Sequence, residues 1–295
     1  MKIAVIGAGK WGTALYHAFS RHNEVVITSR TPRDMPNFVD LDEALKFPYL
    51  IMAIPAQSVR GWMEQNFKDH GQSMLIAAKG IEVASGAFLN DVYESFIPKD
   101  RLAFLSGPSF AAEVLQSLPT ALVVSSTNQK LAKKFVDAMP SFIKGYVSND
   151  VAGEEIAGAY KNVIAIAGGV CDGLKLGNNA RAALLARGLV EMSRFGEAFG
   201  AKKDTFLSLG GAGDLFLTAS STLSRNYRVG IGLAEGRSLN DILNELGEVA
   251  EGVPTASALH YIAKEKDIYL PIAKEVYLML QEGKDPLKSV QDLLS

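Results

Sequence analysis

Short apolar runs alternate with segments of helical periodicity in the first half of the chain. The runs predict seven strands, at Lys2–Ile6, Glu24–Ser29, Tyr49–Ile54, Ser73–Ala78, Leu102–Leu105, Thr120–Ser125 and Phe142–Val147. The segments between them predict helices around Trp11–Arg21, Ser58–Phe67, Ala87–Ser95 and Gln129–Met139. Nearly continuous apolar strands that alternate with helices are typical of an α/β fold with a doubly wound, mostly parallel sheet. In such a sheet the ligand crevice lies beyond the carboxyl ends of the strands.

The pattern changes after Val147. The stretch S-N-D-V-A-G-E-E offers candidate caps and acidic residues for a first helical turn, and long helical patterns follow with almost no strand signal. We therefore expect a sheet domain over residues 1–148 and an all-helical domain over residues 149–295. The sequence contains no internal repeat, low-complexity tract or flexible linker, so we expect the two domains to pack tightly and the functional site to lie in the cleft between them.

Composition narrows the class of protein. The chain has 295 residues, 48% of them hydrophobic and 21% charged, and a net charge of −2, which favours an ordinary soluble protein without affinity for nucleic acid or anionic membranes. The longest apolar runs, Tyr49–Ala56 and Val163–Cys171, are too short to span a bilayer. One cysteine excludes an internal disulfide and a cysteine cluster for zinc, and the four histidines share no ligand spacing. We expect a cytoplasmic protein without a metal site.

A glycine-rich turn follows the first strand. Gly7, Gly9 and Gly12 give the spacing G-x-G-x-x-G between an apolar strand and a segment with helical character. The first glycine permits the tight turn, the second lets a pyrophosphate approach the backbone, and the third lets the helix pack on the strand. The N–H groups and the dipole at the helix start favour phosphate. This context predicts a Rossmann-like dinucleotide-binding domain.

The end of the second strand bears on the choice of nucleotide. Proteins that select NAD usually place an acidic residue there to hold the ribose hydroxyls, whereas this chain has T-S-R-T-P-R, with Arg30 and Arg33 and no acid. Cations at this position suit a 2′-phosphate, so the sequence favours NADPH, although the arginines could also be solvated loop charges. Use of both NADP and NAD remains open.

Lys161 lies in the helical half, in the segment A-Y-K-N-V-I-A-I-A-G-G. No acid four residues away could pair with it on the same helix, so it is either a reactive lysine or one that extends its amine out of an apolar face. The sequence of this segment leaves both readings open.

Further segments carry polar groups suited to a small anionic substrate. Lys79 lies at the carboxyl end of the fourth strand, directly after it, in A-A-K-G. Gly107 precedes Ser109 in a turn where the serine could cap a helix, and Asp214 follows the glycines of G-G-A-G-D-L. The triplet Ser224–Asn226 is a compact donor set for phosphate, in which the Arg225 guanidinium could bind two oxygens.

Taken together, these segments resemble the bacterial type of NAD(P)-dependent glycerol-3-phosphate dehydrogenase. The motifs that carry the resemblance occur in order along nearly the whole chain: G-A-G-K-W-G-T-A-L, A-I-P-A-Q, A-A-K-G-I-E, S-G-P-S-F-A-A-E, Y-K-N-V-I-A-I-A-G-G, G-G-A-G-D-L, S-R-N and V-A-E-G-V-P-T-A. The resemblance implies the interconversion of sn-glycerol 3-phosphate and dihydroxyacetone phosphate with NADP or NAD, which supplies glycerol 3-phosphate for phospholipid synthesis.

The resemblance also implies residue roles. Lys161 would be the catalytic lysine, which accepts the proton of the C2 hydroxyl. The substrate would be bound by Lys79, Gly107, Ser109, Lys161, Asp214, Ser224, Arg225 and Asn226. The cofactor would be bound by Gly7, Gly9, Lys10, Trp11, Gly12, Arg30, Arg33, Lys79, Ala111, Arg225, Val249 and Glu251. Two departures concern the nucleotide: the chain is short after the second strand, and Lys10 replaces the commoner serine of the turn.

A chemical hypothesis follows for the lysines. An isolated lysine is a poor base near neutral pH, but Lys79 and Lys161 would lower each other's tendency to hold a proton if they met, and Asp214 would orient the pair.

Two other functions remain open. One is a hydroxyacid or ketopantoate-type reductase, which also joins a dinucleotide domain to helices, and the other is a non-catalytic sensor of the NAD(P)H redox state. The helical domain could support a homodimer.

Overall fold

All seven strands form, and they join into one sheet. Their order across the sheet is β2-β1-β3-β4-β5-β6-β7. Their bounds are β1 Lys2–Ile6, β2 Glu24–Thr28, β3 Tyr49–Met52, β4 Ser73–Ile76, β5 Leu102–Ser106, β6 Thr120–Ser125 and β7 Ile143–Ser148. Neighbouring strands are parallel except for β5 and β6, which are antiparallel. The doubly wound, mostly parallel sheet predicted from the apolar runs is therefore confirmed.

The sheet region contains six helices, four of which lie where the periodicity predicts them. Their bounds are α1 Lys10–Phe19, α2 Leu41–Ala44, α3 Val59–Asn66, α4 Leu89–Glu94, α5 Ala111–Leu115 and α6 Gln129–Asp137. Side chains cap two of them, because Asp40 accepts a hydrogen bond from Glu43 N at the start of α2 and Asn128 accepts from Leu131 N at the start of α6. The connection after β2 contains only the single turn α2, which agrees with its short length in the sequence.

The structure, a computed structural model, describes residues 1–295 and divides into two units. Unit 1 comprises Met1–Ala78 and Leu89–Val151, and unit 2 comprises Lys79–Phe88 and Ala152–Ser295. The sequence places one boundary after residue 148, whereas the chain passes from one unit to the other at three points. The segment Lys79–Phe88 belongs to unit 2 because Phe88 packs on Phe195 and Phe199.

Unit 2 is built almost entirely of helices. Their bounds are α7 Val151–Gly173, α8 Asn178–Glu197, α9 Lys203–Phe206, α10 Asp214–Thr218, α11 Arg225–Ala234, α12 Leu239–Leu246, α13 Gly252–Lys266, α14 Pro271–Gln281 and α15 Pro286–Leu294. Helix α7 is buried on all sides from Ile156 to Cys171 and forms the centre of the core. The buried Glu191 accepts hydrogen bonds from Ile272 N and Ala273 N and so stabilises the start of α14. No helix of the structure has the length and hydropathy needed to cross a membrane.

Candidate active site

Two lysines of unit 2 share one buried carboxylate. Lys161 Nζ donates to Asp214 Oδ1, and Lys79 Nζ donates to Asp214 Oδ2 at 2.5 Å. Lys161 also donates to Thr218 Oγ1 at 2.9 Å. The side chain of Asp214 is 1% exposed, so this carboxylate is held almost entirely away from water. The amine of Lys161 thus lies inside unit 2 and is paired, which rules out the alternative that it extends into solvent.

Local structure explains how these groups meet. Lys161 projects from the middle of α7, and Asp214 begins α10 directly after the π-helical turn Leu209–Gly213. One turn before Lys161, Gly158 leaves room for the aliphatic chain of Lys79, because a Cβ at this glycine would lie 3.1 Å from Lys79 Cδ. Thr218 lies four residues after Asp214 and therefore on the same face of α10. The predicted lysines and the predicted acid thus come together in unit 2.

Burial dominates the electrostatics of this cluster. It lowers the pKa of Lys161 to about 7, and although the Asp214 carboxylate opposes this shift, the charge of Lys79 adds to it. Burial by itself would raise the pKa of Asp214, but the attraction of both lysines outweighs it and the pKa is lowered. The charge of Lys79 thus lowers the pKa of Lys161 in the direction that the sequence hypothesis gives, and removal from water is the larger cause.

The three residues of the triplet Ser224–Asn226 differ in exposure and in hydrogen-bond partners, although the sequence indicates one compact set of donors. Ser224 Oγ caps α11 by accepting from Tyr227 N at 3.2 Å. Asn226 Nδ2 donates to Asn162 Oδ1 at 2.9 Å, and Asn226 Oδ1 accepts from Gly252 N at 2.9 Å. Ser224 and Asn226 are both buried, and Asn226 links helix α11 to α7 and α13.

Arg225 differs from its two neighbours in exposure. Its side chain is 44% exposed and donates to Glu248 Oε2 at 3.1 Å. An ion pair this exposed contributes little to stability, so the guanidinium can exchange Glu248 for another anion at small cost. Nearby in sequence, Val249 is exposed and Glu251 directly precedes the first residue of α13.

The turn after β5, in unit 1, contains two of the predicted site residues, and a third, Ala111, begins the helix that follows. Gly107 adopts φ 105°, a conformation that favours glycine, and Ser109 Oγ donates to Gly107 O at 3.2 Å. The expectation that Ser109 caps a helix is wrong, because Phe110 occupies that position and α5 begins at Ala111 without a side-chain cap.

The glycine-rich turn of unit 1 fits a dinucleotide pyrophosphate. Gly7 has φ 110°, and a Cβ at Gly12 would lie 1.8 Å from Gly7 O, so neither position accepts a side chain. A Cβ at Gly9 would meet no atom within 4 Å, which leaves open space at the start of α1. Lys10 and Trp11 form the first turn of that helix, which contains no acidic residue. An open helix N-terminus without negative charge is suited to phosphate.

The remaining nucleotide residues lie after β2. Arg30 and Arg33 are exposed on the loop between β2 and α2, and no acid ends the strand. Two residues were not among the candidates from the sequence: Thr218, which accepts a hydrogen bond from Lys161, and Asn162, the partner of Asn226. The spacing of Asp214 and Thr218 on one helical turn is the signal that could have identified the threonine.

Comparisons with known proteins cover the whole chain. A family model described as the NAD-dependent glycerol-3-phosphate dehydrogenase N-terminus matches residues 28–132, and one described as the C-terminus of the same family matches residues 150–291. The chain is 62% identical over 294 residues to glycerol-3-phosphate dehydrogenase (NAD(P)+) of Sulfurimonas denitrificans, an alignment that covers 100% of this chain and 99% of the relative. It is 59% identical over 295 residues to the protein of that name from Campylobacter lari, with 100% and 98% covered.

Solved structures agree with these sequence matches. The crystal structure of glycerol-3-phosphate dehydrogenase from Coxiella burnetii has a TM-score of 0.91 at 33% identity and covers 99% of this chain and 98% of its own. A putative 2-dehydropantoate 2-reductase from Enterococcus faecalis has a TM-score of 0.57 at 14% identity, with 97% and 99% covered, and shares the fold alone.

Proposed function

The chain belongs to the NAD-dependent glycerol-3-phosphate dehydrogenase family, and on this premise we propose that it interconverts sn-glycerol 3-phosphate and dihydroxyacetone phosphate with NADP or NAD. The observation that carries the proposal is the buried carboxylate of Asp214, which holds Lys161 and Lys79. A protein that only sensed the redox state of the nucleotide would not need this pair of cations. The product glycerol 3-phosphate would serve phospholipid synthesis.

Lys161 is the proton donor and acceptor of this reaction. When bound, the nicotinamide nucleotide supplies or takes the hydride at substrate C2. An ammonium group has three N–H donors, and Lys161 uses two of them on Asp214 and Thr218, so the third can bind the C2 oxygen. During reduction this donor stabilises the negative charge that develops on the oxygen and then transfers its proton. During oxidation the neutral amine accepts the proton, since its pKa is about 7.

Lys79 and Asp214 keep that amine in place. Asp214 fixes the position of Lys161 through one oxygen and that of Lys79 through the other. The positive charge of Lys79 lowers the pKa of Lys161 and adds a cation for the anionic substrate. Gly107 and Ser109 are proposed to contact the substrate as well.

The phosphate of the substrate is assigned to Arg225. Its exposed guanidinium and its weakly held partner Glu248 support this role. Ser224 and Asn226 complete the substrate site in our proposal, although in the structure they mainly hold the start of α11. Binding of a remote phosphate helps to position C2 and thus contributes to turnover as well as to affinity.

The nucleotide contacts are proposed residue by residue. The pyrophosphate would lie at Gly7, Gly9, Lys10, Trp11 and Gly12, with Ala111, Val249 and Glu251 as further cofactor contacts, and Lys79 and Arg225 as contacts to both ligands. Arg30 and Arg33 would bind the 2′-phosphate, so we propose a preference for NADPH. According to this proposal, residues 1–148 are the dinucleotide-binding domain, and residues 149–295 are the substrate-binding and catalytic domain.

We further propose a cytoplasmic homodimer. Helix α8 supports the dimer, because Val190 is 57% exposed and Leu184, Leu185 and Leu189 are only partly buried. Light scattering on the purified protein should give twice the chain mass, and Val190→Glu should lower it. A monomeric parent protein would contradict this part of the proposal.

A substrate panel tests the function directly. Oxidation of NADPH is followed with dihydroxyacetone phosphate, unphosphorylated dihydroxyacetone, 2-oxo acids and ketopantoate. We expect turnover of the phosphate ester and little of the others. Faster turnover of ketopantoate or of a 2-oxo acid would favour the competing reductase, and no turnover of any compound despite NADPH binding would favour a sensor.

A further inference from the structure

The chain that leaves β2 returns along the edge of the same strand. Ile27 N donates to Asn37 O at 3.1 Å, and Val39 N donates to Ile27 O at 3.0 Å, which makes a parallel bridge between Ile27 and Phe38. Residues 29–36 therefore form a short loop whose two ends both lie beside β2. We refer to these residues as the arginine loop, since they include Arg30 and Arg33.

Tyr16 connects this loop to the nucleotide-binding helix. Its hydroxyl donates to Pro36 O at 2.8 Å and accepts from Asn37 Nδ2 at 3.3 Å. Asn37 has φ 54°, a left-handed conformation that asparagine tolerates better than most residues, and the bond to Tyr16 favours it. Tyr16 lies on α1, one helical turn after Gly12. The same helix thus carries both the pyrophosphate turn and the anchor of the arginine loop.

The loop is restrained elsewhere too. At its start, Ser29 Oγ donates to Thr31 O at 2.7 Å, which closes a turn around Arg30. Pro32 and Pro36 remove backbone freedom, and Met35 packs against the hydrophobic core of unit 1. Arg30 and Arg33 are thus exposed side chains on a backbone that is fixed at both ends.

We propose that Tyr16 is a positioning residue for nucleotide selectivity, because its hydroxyl holds the arginine loop in the conformation that binds a 2′-phosphate. The inference rests on the proposed use of NADP by this chain. Ordering a loop upon binding costs free energy, and a loop that is ordered beforehand avoids this cost. NADH lacks the 2′-phosphate and gains little from the arginines, so loosening the loop weakens the binding of NADPH in particular.

The test is the binding of each nucleotide to Tyr16→Phe, which removes only the hydroxyl. Kd values for NADPH and NADH are measured by titration of the nicotinamide fluorescence, without substrate. We expect Kd for NADPH to rise about fivefold, since one net hydrogen bond corresponds to roughly two- to tenfold in an equilibrium constant. Kd for NADH should stay within about twofold. Hydrogen exchange at the amides of Ile27 and Val39 should become faster.

Two controls make the result specific. Tyr49→Phe removes another tyrosine hydroxyl of unit 1, one that binds Lys134, and should leave the ratio of the two Kd values unchanged. In the double variant Arg30→Ala/Arg33→Ala the preference for NADPH should be lost, and addition of Tyr16→Phe should then change the ratio no further.

Three results would overturn the inference: no change of either Kd in Tyr16→Phe, an equal change of both, or a further change of the ratio in the variant that already lacks the arginines. Reduction of dihydroxyacetone phosphate by the parent protein is measured alongside, once with NADPH and once with NADH. If either nucleotide supports the reaction, failure of the Tyr16 proposal leaves the proposed reaction intact, whereas no turnover with either nucleotide would count against the reaction itself.

Discussion

Lys161 and Lys79 bind opposite oxygens of the same buried carboxylate, that of Asp214. The single negative charge of Asp214 thus pairs with two cations inside unit 2. This arrangement keeps the ammonium form of Lys161 accessible despite burial, and it leaves the pKa of that lysine at about 7. Near neutral pH, both protonation states that a reversible dehydrogenase needs are therefore populated.

Asp214→Asn tests the carboxylate. The change leaves the buried Lys161 and the half-buried Lys79 without their counter-ion, so the pKa of Lys161 should fall further and the free energy of unfolding should drop by about 3–5 kcal/mol. Chemical denaturation measures the stability, and the pH profile of glycerol 3-phosphate oxidation should shift to lower pH. In the matched control Asp137→Asn, which breaks the exposed pair with Lys133, stability should change by less than about 1 kcal/mol. An equal loss of stability in the two variants would contradict the role of Asp214 as the shared counter-ion of Lys161 and Lys79.

The pKa of Lys161 also predicts how stability depends on pH. Burial lowers this pKa from 10.5 to about 7, so between these values the unfolded chain binds more protons than the folded protein. The Lys161 contribution to the free energy of unfolding therefore rises with pH through this window, by at most about 1.4 kcal/mol per pH unit. Denaturation of the parent and of Lys161→Met from pH 7 to pH 10 should show the difference growing in favour of the parent. If the difference in the free energy of unfolding between the two proteins stays constant from pH 7 to pH 10, the pKa of Lys161 is not lowered.

Arg225→Ala tests the phosphate site. Loss of the guanidinium should raise KM for dihydroxyacetone phosphate and lower kcat, because binding of the phosphate positions C2. The preference over unphosphorylated dihydroxyacetone should fall by about tenfold or more, since charge-assisted hydrogen bonds contribute about 1.5–3 kcal/mol. Glu248→Gln removes the negative charge that pairs with Arg225 and should keep or lower that KM. An unchanged substrate preference in Arg225→Ala would exclude the phosphate role.

The glycine turn allows folding and binding to be separated. A Cβ at Gly9 enters open space, so Gly9→Ala should fold with an unchanged Tm but bind NADPH at least about tenfold more weakly, because the methyl group occupies the approach of the pyrophosphate. A Cβ at Gly12 would overlap Gly7 O, so Gly12→Ala should lower the Tm markedly. Calorimetry and nucleotide titration distinguish the two. Normal NADPH affinity in Gly9→Ala would contradict the location of the pyrophosphate.

Features set by nearby residues could be predicted from the sequence. The strands follow from apolar runs such as that of β5, which is buried along its whole length, and the glycine turn follows from the steric demands of Gly7 and Gly12. The motif order identified the family, and with it Lys79, Lys161 and Asp214 as candidate site residues.

Features set by distant residues could not be derived from local spacing. Lys79 and Asp214 are 135 residues apart, so before the fold was known their meeting was only a hypothesis. The antiparallel pairing of β5 and β6 has no signal in the hydrophobic pattern. Asn226 has the donors of a phosphate site, and only the fold shows that Asn162 and Gly252 engage its amide.

The pH profile of glycerol 3-phosphate oxidation in the parent and in Lys161→Ala tests the central claim most directly. We expect the rate of the hydride step in the parent to rise with pH through an apparent pKa near 7, as Lys161 loses its proton. In Lys161→Ala the rate should fall by about 10²–10⁴-fold and lose this inflection, while NADPH still binds. Activity of Lys161→Ala within severalfold of the parent, with the same inflection, would contradict the assignment of Lys161 as the proton acceptor.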